Sequence, residues 1–135
     1  MEKELYISQE NKELLLQDLC ARLPYGVKVQ SFDNELNESV ETLYGIDADG
    51  YTYTLECDTL KNIHKPYLFP LSSMTDEQKT ELNDTLIQLE LKALDDEIEH
   101  HKVAEFEINF YNKNGFDYRG LIPKGLAIDA TGKNI

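Results

Sequence analysis

The chain has 135 residues, with 26 acidic side chains against 13 basic ones and a formal net charge of −13. This length suits a single domain spanning residues 1–135, because a chain of this size can bury a core without disulfides or metals. The negative charge disfavours nucleic acid as a direct partner, since a phosphate backbone requires a basic surface. No apolar run is long enough to cross a membrane.

The N-terminal segment 1–19 predicts no signal peptide, because acidic residues interrupt its apolar positions and no small-residue cleavage site follows. The two cysteines, Cys20 and Cys57, lie far apart and match no metal-binding or redox spacing. We therefore predict a cytoplasmic protein whose thiols are free and buried, since disulfides are rare in reducing compartments.

The first two predicted elements are a helix and a strand. Ser8 is a suitable N-cap, leucines follow near helical spacing, and Pro24 ends the helix. The alternating segment 27–30 then predicts a strand, and the polar segment 33–35 predicts a loop.

The segment 40–57 predicts a β-hairpin with a two-residue type I′ turn at Asp49-Gly50. In that register Ile46 opposes Tyr53 and Tyr44 opposes Leu55, so one face is apolar and aromatic and the other is acidic and hydroxylated. The remaining opposed pairs are Ala48 with Tyr51 and Thr42 with Cys57. We therefore expect a three-stranded antiparallel sheet whose aromatic face is buried under helices.

Two patterns resemble metal sites, but neither is complete. Counting Gly50 as the sixth position of a calcium loop gives Asp47, Asp49 and Glu56 ligand positions, but Gly45 then stands where a carboxylate is needed. The segment 97–100 spells the Glu-x-x-His of di-metal helical bundles, which need that motif twice. We therefore predict no metal and no cofactor.

The connector before the next helix, KPYLFPLSSMT (65–75), carries two prolines and several large apolar side chains. Pro66 and Pro70 make it stiff and extended, so its apolar residues cannot all face inward from one side. Two roles stay open: packing against the end of the sheet and binding a partner.

A long helix is predicted from Thr75 to about His101, since Thr75 and Gln78 form a capping box. Its apolar residues fall into two stripes, which implies two packing partners. The first stripe contains Leu82, Leu86, Leu89 and Ala93, and the second contains Ile87, Leu91, Leu94 and Ile98. Between them lies a polar row, which predicts a solvent-filled seam, a hydrogen-bond set or a functional site. This row contains Asn83, Glu90, Glu97 and His101.

The segment 103–114 fits either a helix or a strand, and we favour a helix. The glycine-rich segment 116–132 predicts a turn-rich tail that packs over the body. Glycine-rich phosphate loops, zinc spacings and nucleophile elbows are absent from the sequence. His64, His100 and His101 stand beside no credible nucleophile, so we predict no catalytic residue.

Three stretches carry a resemblance: LLLQDLCARLPYGVKV (14–29), KPYLFPLSSMT (65–75) and FYNKNGFDYRGLIPKGLAIDA (110–130). They resemble a group of small proteins of unknown function that are common in gut anaerobic bacteria, their phages and mobile elements. The resemblance implies a context but no activity. Phe69 departs from the group, where an Arg is usual, as does Asn114-Gly115, where two His are usual.

The predicted fold is α+β, with a small three-stranded antiparallel sheet covered on one face by a long helix and an N-terminal helix, followed by a shorter C-terminal helix and a turn-rich tail. The predicted function is a non-enzymatic interaction protein of phage or mobile-element origin, whose partner is another protein or a second copy. The candidate interaction surface comprises Pro66, Tyr67, Leu68, Phe69, Ile87, Leu91, Leu94, Ile98, Asp117 and Arg119.

Two alternatives remain open at this point. One is an acidic inhibitor that imitates DNA, suggested by the eight acids and the absence of Lys and Arg in segment 29–60. These acids are Asp33, Glu35, Glu38, Glu41, Asp47, Asp49, Glu56 and Asp58. The other is a small-molecule enzyme with a pocket formed by Glu90, Glu97 and His101, or by Asp117 and Arg119.

Overall fold

The computed structural model of the protein describes residues 8–32, 35, 37–54, 64–94, 97–133 and 135. Within these residues, three helices accompany a three-stranded antiparallel sheet, which confirms the α+β class. The helices are α1 (Gln9–Arg22), α2 (Asp76–Ala93) and α3 (Glu97–Asn114). The strands are β1 (Lys28–Phe32), β2 (Glu38–Ile46), β3 (Thr52–Thr54), β4 (Tyr67–Leu68) and β5 (Ile128–Asp129).

Helix α1 begins and ends close to the predicted positions. The Ser8 hydroxyl accepts a hydrogen bond from the Asn11 N–H at 3.2 Å, and a 3-10 turn over Leu23–Tyr25 follows the helix. Its buried side chains form a first apolar cluster with the sheet and the tail. The buried members of this cluster are Leu15, Leu19, Val29, Leu43, Leu68, Leu121, Leu126 and Ala127. The N-terminal helix therefore covers the sheet, as predicted.

Cys20 is exposed and free, so the prediction of a buried thiol is wrong at this position. Its neighbour Leu19 occupies the buried side of α1, and one helical step rotates Cys20 away from that side. Cys57 lies outside the residues that the structure describes.

The hairpin between β2 and β3 forms, but the predicted register is wrong. Ile46 pairs with Thr52, one residue earlier than the predicted partner Tyr53. The reason is local, because the Asp47 carboxylate accepts hydrogen bonds from the N–H groups of Asp49 and Tyr51 at 2.9 and 3.0 Å. This side chain organises a wider turn than the two-residue turn expected at Asp49-Gly50.

The predicted burial of the aromatic face is also wrong. Tyr44 is 62% exposed, whereas Leu43 on the other face is only 3% exposed. An irregularity between Leu43 and Gly45 shifts the alternation, so Ile46 also packs against the first cluster. The Tyr53 ring lies so close to Gly45 that a Cβ there would approach its hydroxyl oxygen to 2.7 Å. Leu55, the predicted partner of Tyr44, lies outside the described residues.

The proline-containing connector packs in the core as a strand. On one edge, the carbonyls of Pro66 and Leu68 accept hydrogen bonds from the N–H groups of Ile128 and Ala130 at 2.9 and 2.8 Å. On the other edge, the Lys65 carbonyl accepts from the Gln30 N–H at 2.9 Å. Because the strand has partners on both edges, Pro66, Tyr67 and Leu68 are buried. Their assignment to an interaction surface is therefore corrected.

The prediction of a single long helix from Thr75 to about His101 is wrong, because two helices occupy this region. The capping box of Thr75 and Gln78 is present at the start of α2, which ends at Ala93. Helix α3 begins at Glu97 and continues through the segment 103–114, so the prediction of a helix there is confirmed.

Helix α2 packs on α3 rather than across the sheet. Leu82 and Leu86 lie in a second apolar cluster with Phe106 and Phe110, as expected for two helices that pack side by side. The other members are Phe69, Met74, Tyr111 and Phe116. The first apolar stripe, which was predicted on the long helix, therefore packs against α3, and we call this pair of helices the helical hairpin. Among the described helices, none has the length and the apolar character that a membrane crossing needs.

Candidate interaction surface

The second predicted stripe is exposed along the outer side of α2, and we call it the outer stripe. Its described members Ile87, Leu91 and Leu94 are 52%, 56% and 76% exposed. They recur at i, i+4 and i+7, so they line up on one side of the helix. Ile98 follows at the next turn in sequence, but its side chain lies outside the described part of the structure. The helical hairpin presents this stripe because the opposite side of α2 is buried against α3.

Acidic residues flank the outer stripe. By helical geometry, Asp84 lies beside Ile87 on one flank and Glu90 lies between Ile87 and Leu94 on the other, and both carboxylates are exposed. The stripe is therefore an apolar row with negative borders, on a chain whose net charge is −13.

The polar row predicted between the two stripes does not come together as a site in the described residues. Asn83, Glu90 and His101 are all exposed. The side chain of Glu97 lies outside the described part. An exposed set of this kind fits the solvent-filled seam among the predicted roles, because it leaves no carboxylate buried.

Asp117 and Arg119, assigned to the interaction surface from the sequence, hold the tail to the body instead. The Asp117 carboxylate accepts hydrogen bonds from the N–H groups of Leu121 and Ile122 at 2.8 and 2.9 Å. The Arg119 guanidinium forms an ion pair with Asp18 at 2.8 Å and is 16% exposed. Both polar groups are already engaged, which disfavours their use as a substrate pocket.

A fully buried arginine, Arg22, organises this region and was missed from the sequence. Its Nε donates to Asp18 Oδ2 at 2.8 Å, and its terminal nitrogens donate to the carbonyls of Tyr111 and Phe116 at 3.3 and 2.5 Å. A usable signal was present, because Asp18 and Arg22 are spaced i, i+4 on the same side of the helix as Leu15.

The Tyr118 ring packs beside two guanidinium groups. Its centroid lies 4.4 Å from the Arg119 guanidinium carbon and 5.5 Å from that of Arg22, distances typical of cation–π contacts. The ring also stacks on Tyr111 at 5.5 Å. Helix α1, the end of α3 and the tail are therefore joined by one network of charged and aromatic groups.

Two buried titratable groups, Tyr67 in the connector and His64 just before it, bond to strands of the sheet. The Tyr67 hydroxyl donates to Glu38 Oε1 at 2.7 Å, and burial together with this carboxylate raises the pKa of Tyr67 to about 12. The same hydrogen bond lowers the pKa of Glu38. Burial lowers the pKa of His64, whose Nδ1 lies 2.7 Å from Thr52 Oγ1. Each of these groups already has a partner inside the fold, so we assign them structural roles.

The acids of segment 29–60 do not form one continuous face among the described residues. Glu38 and Glu41 lie three positions apart on β2, which places them on opposite faces of the strand. Asp47 holds the turn after β2 through its hydrogen bonds to backbone N–H groups. Asp33, Glu56 and Asp58 lie outside the described part. This arrangement does not favour the DNA-mimic alternative, which requires carboxylates spaced like phosphates.

Within the described ranges, no three His, Cys, Asp or Glu side chains converge as a metal site requires. Asp47, one of the positions in the incomplete calcium pattern, accepts hydrogen bonds from backbone N–H groups of the turn.

Comparison with known proteins finds no match for the chain among family models, curated proteins or solved structures. Its function is therefore inferred from the side chains themselves.

Proposed function

We propose that this protein is a non-enzymatic interaction protein that binds a basic amphipathic helix of a protein partner through the outer stripe. The observation that carries the proposal is the row of three exposed apolar side chains, Ile87, Leu91 and Leu94, on one side of α2. The resemblance of three segments to proteins of gut anaerobes, their phages and mobile elements supports a phage or mobile-element origin.

An aligned apolar row favours binding more than scattered apolar residues do. Single exposed apolar side chains are normal on protein surfaces, but a row at i, i+4 and i+7 matches the seam that one helix offers another. Burial of such a row contributes free energy in proportion to the apolar area covered, at roughly 25 cal/mol per Å². A partner helix with the same spacing would cover all three side chains at once.

Charge favours a basic partner over a second copy of the chain. The stripe is flanked by Asp84 and Glu90, and the whole chain carries −13. Two such surfaces repel each other, whereas lysines or arginines along the borders of a partner helix would meet these carboxylates. The same attraction would speed the encounter and would weaken as salt is added.

The test uses a synthetic peptide helix with leucines at i, i+4 and i+7 and lysines on both flanks. Titration by fluorescence anisotropy is expected to show binding to the protein, and a scrambled peptide of the same composition is expected to bind at least about tenfold more weakly. The double change Ile87→Ser with Leu91→Ser is expected to abolish the difference between the peptides. Val40→Ser, at an exposed position on the sheet, is the matched control and is expected to leave it unchanged.

Three results would contradict the proposal. The first is equal binding of the ordered and scrambled peptides, which would reduce the interaction to net charge. The second is binding that survives the double change. The third is a dimer, detected by light scattering, which the double change dissociates; this would assign the stripe to self-association.

A further inference from the structure

A cleft lies between the start of β1 and the C-terminal end of α3, and we call it the β1–α3 cleft. Its volume is about 260 Å³. Tyr67 of strand β4 and Phe69 line it, and the backbone edge of this segment changes partner along its length. The edge pairs with Gln30 through the Lys65 carbonyl and with Gly115 through the Phe69 N–H.

Asn112 on the wall of the cleft is buried with an unpaired polar atom. The residue is 6% exposed, and its Oδ1 has no hydrogen-bond partner among the described residues. Most buried polar atoms are paired, because an unpaired one loses its hydration without compensation. Rotation of the Asn112 amide would turn this oxygen towards the cleft, where an N–H or O–H group of a ligand would supply the missing donor.

Two lysines border the cleft, on a strongly negative protein. Lys28 and Lys113 line it together with Ile135, the last residue of the chain, and among the described residues no acidic side chain does. Lys28 donates to Thr42 Oγ1 at 2.6 Å, and neither lysine forms an ion pair within the described part of the structure. Two lysines without an ion-pair partner that border one space favour an anion there.

Aromatic side chains provide the apolar part of the lining. Tyr25, Tyr67 and Phe69 border the cleft, and the Tyr67 hydroxyl is already engaged by Glu38. The Tyr67 side chain therefore offers its ring rather than its hydroxyl. Small-molecule sites commonly combine aromatic walls with a few polar groups, and a volume of 260 Å³ restricts the occupant to a small molecule.

We propose that the β1–α3 cleft binds a small organic anion, namely a planar ring that carries a carboxylate or phosphate group and an N–H or O–H donor. The anionic group meets Lys28 and Lys113, the ring packs against Tyr67 and Phe69, and the donor reaches Asn112. This site is separate from the outer stripe, which lies on α2, so the two proposals stand or fall independently.

The test uses matched ring compounds followed by ¹⁵N NMR titration of the full chain. The probes are 4-aminobenzoate and 4-aminophenyl phosphate, whose comparison distinguishes a carboxylate from a phosphate ligand. The controls are 4-aminobenzamide, which lacks the charge, and benzoate, which lacks the donor. At least one of the two probes is expected to bind about tenfold more tightly than either control and to shift the signals of Gly26, Asn112 and Gly115.

Substitutions in the cleft distinguish a binding site from a simple gap in the packing. Lys113→Met is expected to weaken binding about tenfold, whereas Lys124→Met, which changes an exposed lysine outside the cleft, is expected to have no effect. Asn112→Leu has nearly the same shape without the unpaired oxygen. It is expected to abolish the preference for the amino compounds while leaving the unfolding temperature unchanged or higher.

The proposal is overturned if neither probe binds at millimolar concentration or if the uncharged control binds as tightly as the probes. It is also overturned if the shifted signals lie outside the cleft, or if Lys113→Met and Lys124→Met behave alike.

Discussion

The surroundings of the two apolar clusters differ in which unusual side chains they contain: buried charges beside the first, and exposed apolar side chains beside the second. Around the first cluster the protein buries charge, because Asp18 and Arg22 are fully enclosed and hydrogen-bonded. Beside the second cluster it exposes apolar surface, because Leu94 on the outer side of α2 is 76% exposed. The buried charge is explained by its partners inside the chain, and the exposed stripe has no such explanation among the described residues. We therefore expect substitutions of the buried charges to lower stability most, and substitutions on the outer stripe to affect the proposed binding.

The largest expected effect breaks the buried charge network. In Arg22→Met, Asp18 loses its enclosed partner, and the carbonyls of Tyr111 and Phe116 lose a donor. Removing one member of a buried ion pair typically costs about 3–5 kcal/mol of unfolding free energy, because the remaining charge stays buried. Urea unfolding followed by circular dichroism measures this loss.

Two further variants test whether this loss is specific to the buried charges. Arg119→Met removes a partly exposed guanidinium from the same Asp18 and is expected to cost less than Arg22→Met. The double change of Ile87 and Leu91 to Ser is expected to alter stability by no more than about 0.5 kcal/mol per site, because both side chains are exposed. Equal losses in all three variants would remove the distinction between the regions.

An intermediate effect concerns alkaline pH. Burial, assisted by Glu38 and Glu107 respectively, raises the pKa values of Tyr67 and Tyr111 to about 12. An unfolded tyrosine has a pKa of about 10. Between these values the folded protein holds more protons than the unfolded chain, so the free energy of unfolding falls as pH rises from about 10 towards 12. The expected decline is on the order of 1 kcal/mol per tyrosine.

Single Tyr→Phe substitutions show which tyrosine causes the fall in unfolding free energy at alkaline pH. Tyr67 links the connector to β2, and Tyr111 bonds to Glu107 on the same helix. Each of Tyr67→Phe and Tyr111→Phe is expected to make the decline shallower when unfolding is measured across this pH range. If the ultraviolet absorbance of the folded protein shows every tyrosine ionising near pH 10, the expectation is wrong.

The smallest expected effect concerns the Tyr118 hydroxyl, which is buried and has no partner among the described residues. Tyr118→Phe keeps the ring beside Arg22 and Arg119 and removes the unpaired group. Stability is therefore expected to stay the same or to rise by up to about 1 kcal/mol. Tyr118→Leu, which removes the ring, is expected to lower the thermal midpoint. A destabilised Phe variant would show that the hydroxyl has a partner.

The success of the predictions followed the range of the interactions. The caps at Ser8 and Thr75 were correctly located, since each depends on a side chain and an N–H only three residues away. The hairpin was found, but its register was not, because the Asp47 carboxylate widened the turn. Sequence patterns favour a turn type without specifying which side chain bonds to the backbone.

The candidate site was predicted in part for the same reason. The members of the outer stripe followed from helical periodicity. Pro66, Tyr67 and Leu68 looked equally suited to a surface, but they are buried because distant segments pair with both edges of their strand. Asn112 gave no sequence signal at all, since an unpaired amide becomes visible only when its surroundings are known.

The α+β class, the helix caps and the amphipathic helices could be predicted because each depends on residues that are close along the chain, and the acidic charge follows from composition alone. Three features could not be predicted, because they depend on long-range contacts: the connector forms a strand, the predicted long helix is two helices, and Arg22 is buried. These outcomes depend on groups up to 94 residues apart, as in the bond from Arg22 to the Phe116 carbonyl. Local patterns carry no information on which distant group will satisfy a buried charge or a strand edge.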